Sequence, residues 1–562
     1  MSFPLFSQQY LELNLNNQTV QRSIRSVRQK PELEVFRVIE RAGGDKNIKG
    51  IVLNISGFGS TRENLWELRN ALENFKSNGK KICAFISSAD MDLYSLASVA
   101  DKIVMDDQGL LSMFGYAFGM GYVQHSLEKL GIGVRELRYF EYKSANEMFT
   151  RDSMSEADRR QYGEYLDDIF NLTRDTLKNA RSWTDEEFDS ILNRGFLYSS
   201  KSALEQNLVD RVGRGEAVAE AIREIEGRAV EQFVLYGDSE SNLMKTRKNY
   251  RPARAGNIFR RAPVIAIVYA NGQTDMERGM AARSLGRTIR ELADKKRVRA
   301  IVLRINSPGG SADAADYVAE AVRYAKQKKP VVVSMGQQAA SGGYWAAMNA
   351  SHITASPYTL TGSIGVISAW FYDNGLNSRL GFSVDSLQRG AHADLLTGFI
   401  LPRRDLNAEE EARYRSLLLD IYGTFTAKVA AGRGMEIERV EAVAQGRVFS
   451  GQGALRAGLI DSIGGLPEAI RIARNLANIP EDQGTAYNEY PKPKFWDKML
   501  DRFPAIAALL RSGAGHRPAA ASIADFFLPQ PLFADIFYRL ERNGRVMPIL
   551  PLHFVEQYAG GN

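Results

Sequence analysis

The chain has 562 residues, 44% hydrophobic and 25% charged, a globular balance that excludes a wholly disordered or collagen-like chain. A net charge of only +6 gives little to attract a nucleic acid, and the single cysteine, Cys83, excludes an intrachain disulfide or a cysteine metal centre. No run of about 18 apolar residues reads as a membrane-crossing helix, and the five histidines form no HxxxH or HxH pair to hold zinc.

The first residues carry no basic stretch before an apolar run, so they do not read as a signal peptide. LELNL at 11–15 reads as a first strand, and the basic stretch 21–30 as a solvated face. IVLNIS at 51–56 is a second strand. Leu65, Leu68, Leu72 and Phe75 then recur at helical spacing. Residues 245–261 carry seven basic residues and no acidic one, as a solvated linker does. Strand-like runs return at 264–269, 300–305, 330–334 and 353–355, with Val318, Val322 and Ala325 marking a helix between the second and third. About the last 60 residues alternate apolar pieces with Gly, Pro and Arg and read as an irregular tail. Strands alternating with helices indicate βαβ units and an α/β architecture.

The chain also repeats itself. IVLNIS at 51–56 matches IVLRIN at 301–306, Tyr94 falls on Tyr344, and Leu130-Gly131 falls on Leu380-Gly381. Further on, Tyr162 matches Tyr414, Gly195 matches Gly446, and Asp210 matches Asp461. The offset stays between 250 and 252, which identifies two copies of one fold. The expected division is an N-terminal repeat at 1–244, a basic linker at 245–262, a C-terminal repeat at 263–480 and a tail at 481–562.

Duplicated copies expose chemistry as asymmetry. After its second strand the second copy reads NSPGG (306–310), where the first reads SGFG (56–59). Glycines let backbone N–H groups approach a developing oxyanion, although a plain turn uses the same residues. After its third strand the second copy reads QAASGGYW (338–345), where the first has Met91 at the place of Ser341. A small-residue loop entering a helix can present Ser341 as a nucleophile; the same position also suits an ordinary helix N-cap. Candidate bases are His352, which has no evident acidic orienter, and Lys143 in EYKSA (141–145), whose mate in the second copy is Ala393. One copy keeps the lysine and lacks the serine, and the other does the reverse.

The segments NSPGG, AASGGYW and LTGSIGV (360–366), with EYKSA upstream, resemble the signal peptide peptidase A (protease IV) family in its long, tandem-repeat bacterial form. The resemblance spans 11–503. It implies two tandem Clp-protease/crotonase-like repeats, each a spiral of ββα units. It further implies a serine endopeptidase with a Ser–Lys dyad: Ser341 matches the nucleophile, Lys143 the general base and Ser363 the hydroxyl that orients the lysine. Gly309, Gly310 and Gly342 match the oxyanion loop and nucleophile turn. No metal or organic cofactor is implied. Lys143 must be neutral to act, so burial has to lower its pKa from about 10.4; Phe140, Met148 and Phe149 are apolar neighbours in sequence.

The implied substrates are cleaved signal peptides and other apolar peptides, the implied assembly a homotetramer, and the implied location the inner membrane or its periplasmic face. The family's tandem members begin with a membrane anchor, whereas here the first strand already starts at Leu11. Two rival readings use the same fold, a catalytically silent scaffold or chaperone and a crotonase-type acyl-CoA enzyme. Neither needs Lys143 paired with Ser341.

Overall fold

The computed structural model describes residues 9–15, 32–230, 232–236, 243, 248–250, 262–480 and 483–492. The basic stretch 21–30, most of the basic segment 245–261 and the tail beyond 492 lie outside the described residues. The described residues pack as two compact units that do not follow the linear order of the chain. Those up to 117 and those of 167–260 form the first; those of 118–166 and those from 261 onward form the second.

In the first unit, β1 (Gln9–Asn14), β2 (Ile48–Asn54), β3 (Lys81–Ala89) and β4 (Lys102–Ser112) lie side by side and parallel. Their near-continuous apolar sequences suit strands covered on both faces. Helix α1 (Arg62–Ser77) connects β2 to β3 and buries Leu65, Leu68, Leu72 and Phe75, the stripe expected from their spacing. The short helix α2 (Met91–Ala97) follows β3. Residues 118–166 carry β5 (Ile132–Leu137) and the start of the long helix α3 (Glu156–Arg181). Back in the first unit, β6 (Leu197–Ser199) pairs antiparallel with β4, and β7 (Arg211–Val212) pairs parallel with it. The other edge is built by β8 (Phe233–Tyr236) on β1 and β9 (Lys248–Asn249) on β8.

The second unit repeats this plan. Strands β10 (Val264–Asn271) and β11 (Val298–Ser307) are parallel, and α4 (Ala312–Lys326) leads from β11 to β12 (Val331–Ala340). Helix α5 (Gly342–Ala347) follows β12 with one residue between. Strands β13 (His352–Ala355) and β14 (Leu360–Gly362) pair successively along β12. β15 (Ser368–Asp373) pairs antiparallel with β5, so a strand from each sequence repeat meets in one ladder. The long helix α6 (Ala408–Arg433) precedes β16 (Val448–Ser450), which pairs antiparallel with β14; β17 (Ser462–Ile463) pairs with β13 and β18 (Ala486–Tyr490) with β10.

The repeat extends to individual contacts. Tyr94 donates its hydroxyl to Leu208 O in the first unit, as Tyr344 does to Leu459 O in the second. Asp210 accepts the N–H of Ile103 at 2.8 Å, and Asp461 that of Ile353 at 2.7 Å. Each carboxylate also pairs with an arginine from the end of its long helix, Arg181 or Arg433. The third strand of the second copy is longer than the 330–334 expected. Gln338, Ala339 and Ala340 pair with Leu360, Thr361 and Gly362 instead of forming a loop. Small side chains at 339 and 340 allow that second ladder to form in a fully buried setting.

Candidate active site

Strand β12 delivers the chain directly to Ser341. There the backbone turns at φ 54 and ψ −114, a strained conformation for a residue with a Cβ. Two hydrogen bonds hold the turn: the Ser341 N–H donates to Gly362 O at 2.8 Å, and Ser341 O accepts from Trp345 N at 2.9 Å. The Ser341 hydroxyl caps no N–H of α5, so the N-cap role suggested by its position is not how its side chain is used. It lies 2.8 Å from Lys143 Nζ.

Lys143 sits on the loop after β5. Tyr142 N donates to Gln445 O, and Lys143 N to Phe140 O. The lysine is 1% exposed. Its Nζ also reaches Ser363 Oγ at 2.8 Å and Ser363 O at 2.9 Å. Burial is the cause that pushes its pKa well below the ordinary lysine value, because an ammonium there loses its water. A neutral amine has two N–H groups and one lone pair. Ser363 O and Oγ can accept the two N–H groups, which leaves the lone pair for the hydroxyl proton of Ser341. Ser363 presents both oxygens to one atom because its backbone also lies at positive φ, 52, next to Gly362 at 79.

Two glycines make room for the lysine. A Cβ on Gly446 would stand 2.5 Å from Lys143 Cβ and 2.6 Å from its N; one on Gly365 would stand 3.3 Å from Lys143 Cδ. Sequence reasoning noticed Gly446 only as the mate of Gly195, and Gly365 only inside LTGSIGV. Positive φ at Gly446, 84, shows that this backbone also favours glycine on conformational grounds. Phe140, Met148 and Phe149 are all buried, Phe140 stacked on Tyr422 and Phe149 edge-on to Phe371.

The NSPGG loop is fastened to Thr274, which sequence reasoning missed. Thr274 N donates to Gly309 O at 2.8 Å, and Thr274 O accepts from Ser311 N at 2.7 Å. Between those bonds stands Gly310, where a Cβ would collide with Thr274 O. The three glycines separate here. Gly309 N–H is directed to Ser307 Oγ at 3.3 Å. Those of Gly310 and Gly342 have no acceptor among the described residues. They are close neighbours, since a Cβ on Gly342 would lie 3.2 Å from Gly310 N. Two free N–H groups beside a hydroxyl can hold the oxygen of a carbonyl under attack.

The other candidates lie elsewhere. His352 Nε2 is 2.8 Å from Ser462 Oγ, a contact between β13 and β17. Cys83 is buried in the first unit, where desolvation pushes its thiol up to about 12, far from a reactive thiolate.

The family model described as "Peptidase family S49" matches residues 74–228 and 323–480, and that described as "Clp protease" matches 255–356. The chain is 31% identical over 461 residues to "Serine protease SPPA, chloroplastic" of Arabidopsis thaliana, covering 81% of this chain and 67% of that protein. It is 30% identical over 489 residues to "Protease 4" of Salmonella typhi, covering 83% and 75%. It is 31% identical over 183 residues to "Putative signal peptide peptidase SppA" of Enterococcus faecium, covering 32% and 52%. The α/β fold is thus of the Clp-protease kind.

Proposed function

The chain belongs to peptidase family S49 and is a serine-type peptidase, and we propose that it cuts with Ser341 as nucleophile and Lys143 as general base. The observation that carries this reading is the 2.8 Å approach of a fully buried, uncharged-favouring lysine to the Ser341 hydroxyl. Lys143 takes the hydroxyl proton as Ser341 Oγ attacks the scissile carbonyl carbon. The carbonyl oxygen, now negative, is held by the N–H groups of Gly310 and Gly342. Lys143 then gives its proton to the leaving amine, and the C–N bond breaks to leave an acyl-enzyme. Water, deprotonated by the same lysine, releases the acid and restores Ser341. Ser363 O and Oγ keep Lys143 Nζ directed at Ser341 throughout. In this scheme the first repeat (1–244) supplies the base and the second (263–480) the nucleophile.

The substrates are cleaved signal peptides and other apolar peptides, as the family resemblance implies. The enzyme works as a homotetramer. Support comes from Leu387, Leu396 and Phe399, which are 95%, 87% and 65% exposed in the second copy. The first-copy mates of Leu387 and Phe399, Leu137 and Phe149, are buried. Apolar side chains left in water where their mates are covered suit a surface that another copy covers. No helix of the described residues is long and apolar enough to cross a membrane. On the family resemblance its place is the inner membrane or that membrane's periplasmic face.

Hydrolysis of a fluorogenic apolar peptide tests the dyad. Ser341→Ala and Lys143→Ala should each lower kcat/KM by about 10³-fold or more. An active Lys143→Ala across pH 6–9 would overturn the assignment of the base.

A further inference from the structure

Among the described residues Lys143 has no carboxylate partner to fix it, so other contacts set its distance from Ser341. We propose that Gln161, supported by Asp158, is a positioning residue that locks the lysine loop to the strand beside the nucleophile; this rests on the Ser–Lys reading above.

Gln161 lies on α3 one turn after Asp158, so both side chains share a face. Gln161 and Asp158 are 1% and 0% exposed. From Nε2, Gln161 donates to Tyr142 O at 3.1 Å and to Ser144 Oγ at 3.2 Å, the residues on either side of Lys143. The same nitrogen lies 2.7 Å from Asp158 Oδ1, which also accepts the Ser144 hydroxyl. At its other end, Gln161 Oε1 accepts Val448 N at 3.0 Å. Val448 is the ladder partner of Gly362, and Gly362 O holds Ser341 N. A closed circuit therefore runs from Ser341 through Gly362, Val448 and Gln161 to the lysine loop and back through Nζ. Gln161 is the side chain whose two ends join the halves of that circuit.

The duplication supplies an independent indication. The match of Tyr162 to Tyr414 places Asp158 on Glu410 and Gln161 on Arg413. Glu410 is buried, but it is engaged by Arg404 and by the start of its own helix. Arg413 is 83% exposed and, among the described residues, pairs with Glu409 one turn before it. The copy with Ala393 in place of the lysine thus also lacks the clamp.

The test is Gln161→Leu, which keeps the bulk and removes both polar ends, assayed as kcat and KM across pH 5–10 beside wild type and Lys143→Ala. A loosened loop admits water to Nζ and favours the ammonium form. The expected result is a kcat lowered about tenfold or more, KM within about twofold, and the acid-side midpoint moved up by about half a pH unit or more. Ser144→Ala, a gentler change that leaves Gln161 and Val448 joined, should move the same midpoint in the same direction by less, and serves if Gln161→Leu does not fold. A merely structural role would lower activity in proportion to folded protein and leave the midpoint in place; that result overturns the proposal. An unmoved midpoint with an inactive Lys143→Ala overturns the clamp alone, whereas an active Lys143→Ala overturns the dyad.

Discussion

The two units answer the same local problem, how to pass from a third strand into a short buried helix, in opposite ways. In the first, Asp90 caps α2 ordinarily: its Oδ1 accepts Leu93 N at 2.8 Å, and the backbone stays extended. Met91 and Met113, at the positions of Ser341 and Ser363, are simply buried in the apolar core. In the second, the cap hydrogen bond is given up, and Ser341 and Ser363 both take positive φ. Strain of this kind costs on the order of 1–3 kcal/mol per residue and persists only where surrounding structure enforces it. The comparison separates what the fold requires from what is arranged around one lysine nitrogen.

The comparison can be broken most sharply at the paired glycines. Gly446→Ala should drive Lys143 from its place and lower kcat/KM by about 10²-fold or more in the peptide assay, beyond any loss of folded protein. Gly195→Ala, whose Cβ would meet Tyr198 in the first unit, should lower the melting temperature but leave kcat per folded molecule near wild type. Equal kinetic losses in the two variants would mean that Gly446 serves folding alone. Next in size is Gly310→Ala, which crowds Thr274 and withdraws one free N–H. A fall in kcat of about 10²–10³-fold with little change in KM is expected, and a loss confined to KM would argue against an oxyanion role.

A smaller effect concerns stability. The folded-state pKa of Lys143 is lowered, so the unfolded chain binds a proton that the folded chain rejects. Stability is therefore diminished below the unfolded pKa, about 10.4, and recovers as pH rises towards it. Lys143→Met should raise the melting temperature at neutral pH and flatten its rise between pH 8 and about 10; an unchanged slope would contradict burial of the neutral amine. The smallest effect is Asp90→Ala, a lost cap worth about 1 kcal/mol in denaturant unfolding with kcat unchanged.

Much of this was legible in the sequence, and the reasons differ by residue. The strands and α1 carry strong apolar periodicity. Ser341 and Lys143 stood out because the duplicated copies differ at those positions, and Ser363 because LTGSIGV resembles a family motif. Gly365 and Gly446 were not legible as lysine neighbours, since a missing Cβ matters only once the lysine is known to pass it. Thr274, Asp158 and Gln161 act through long-range hydrogen bonds that no local pattern encodes. The packing of 118–166 with the second unit was hidden for the same reason: the ladder between β5 and β15 joins segments far apart in the chain. His352 looked available as a base, but its partner Ser462 lies 110 residues away.

The proposed base, Lys143, and the proposed nucleophile, Ser341, are 198 residues apart in the chain. At about 5–20 residues per second, a ribosome finishes Lys143 about 10–40 s before it reaches Ser341. Through that interval the growing polypeptide lacks Ser341 and also Ser363, Gly365 and Gly446, which surround the lysine in the folded unit, so Lys143 keeps its proton. A chain broken off anywhere between the two positions likewise lacks Ser341. On the Ser–Lys reading proposed above, the peptidase is thus inactive until its second copy has been made.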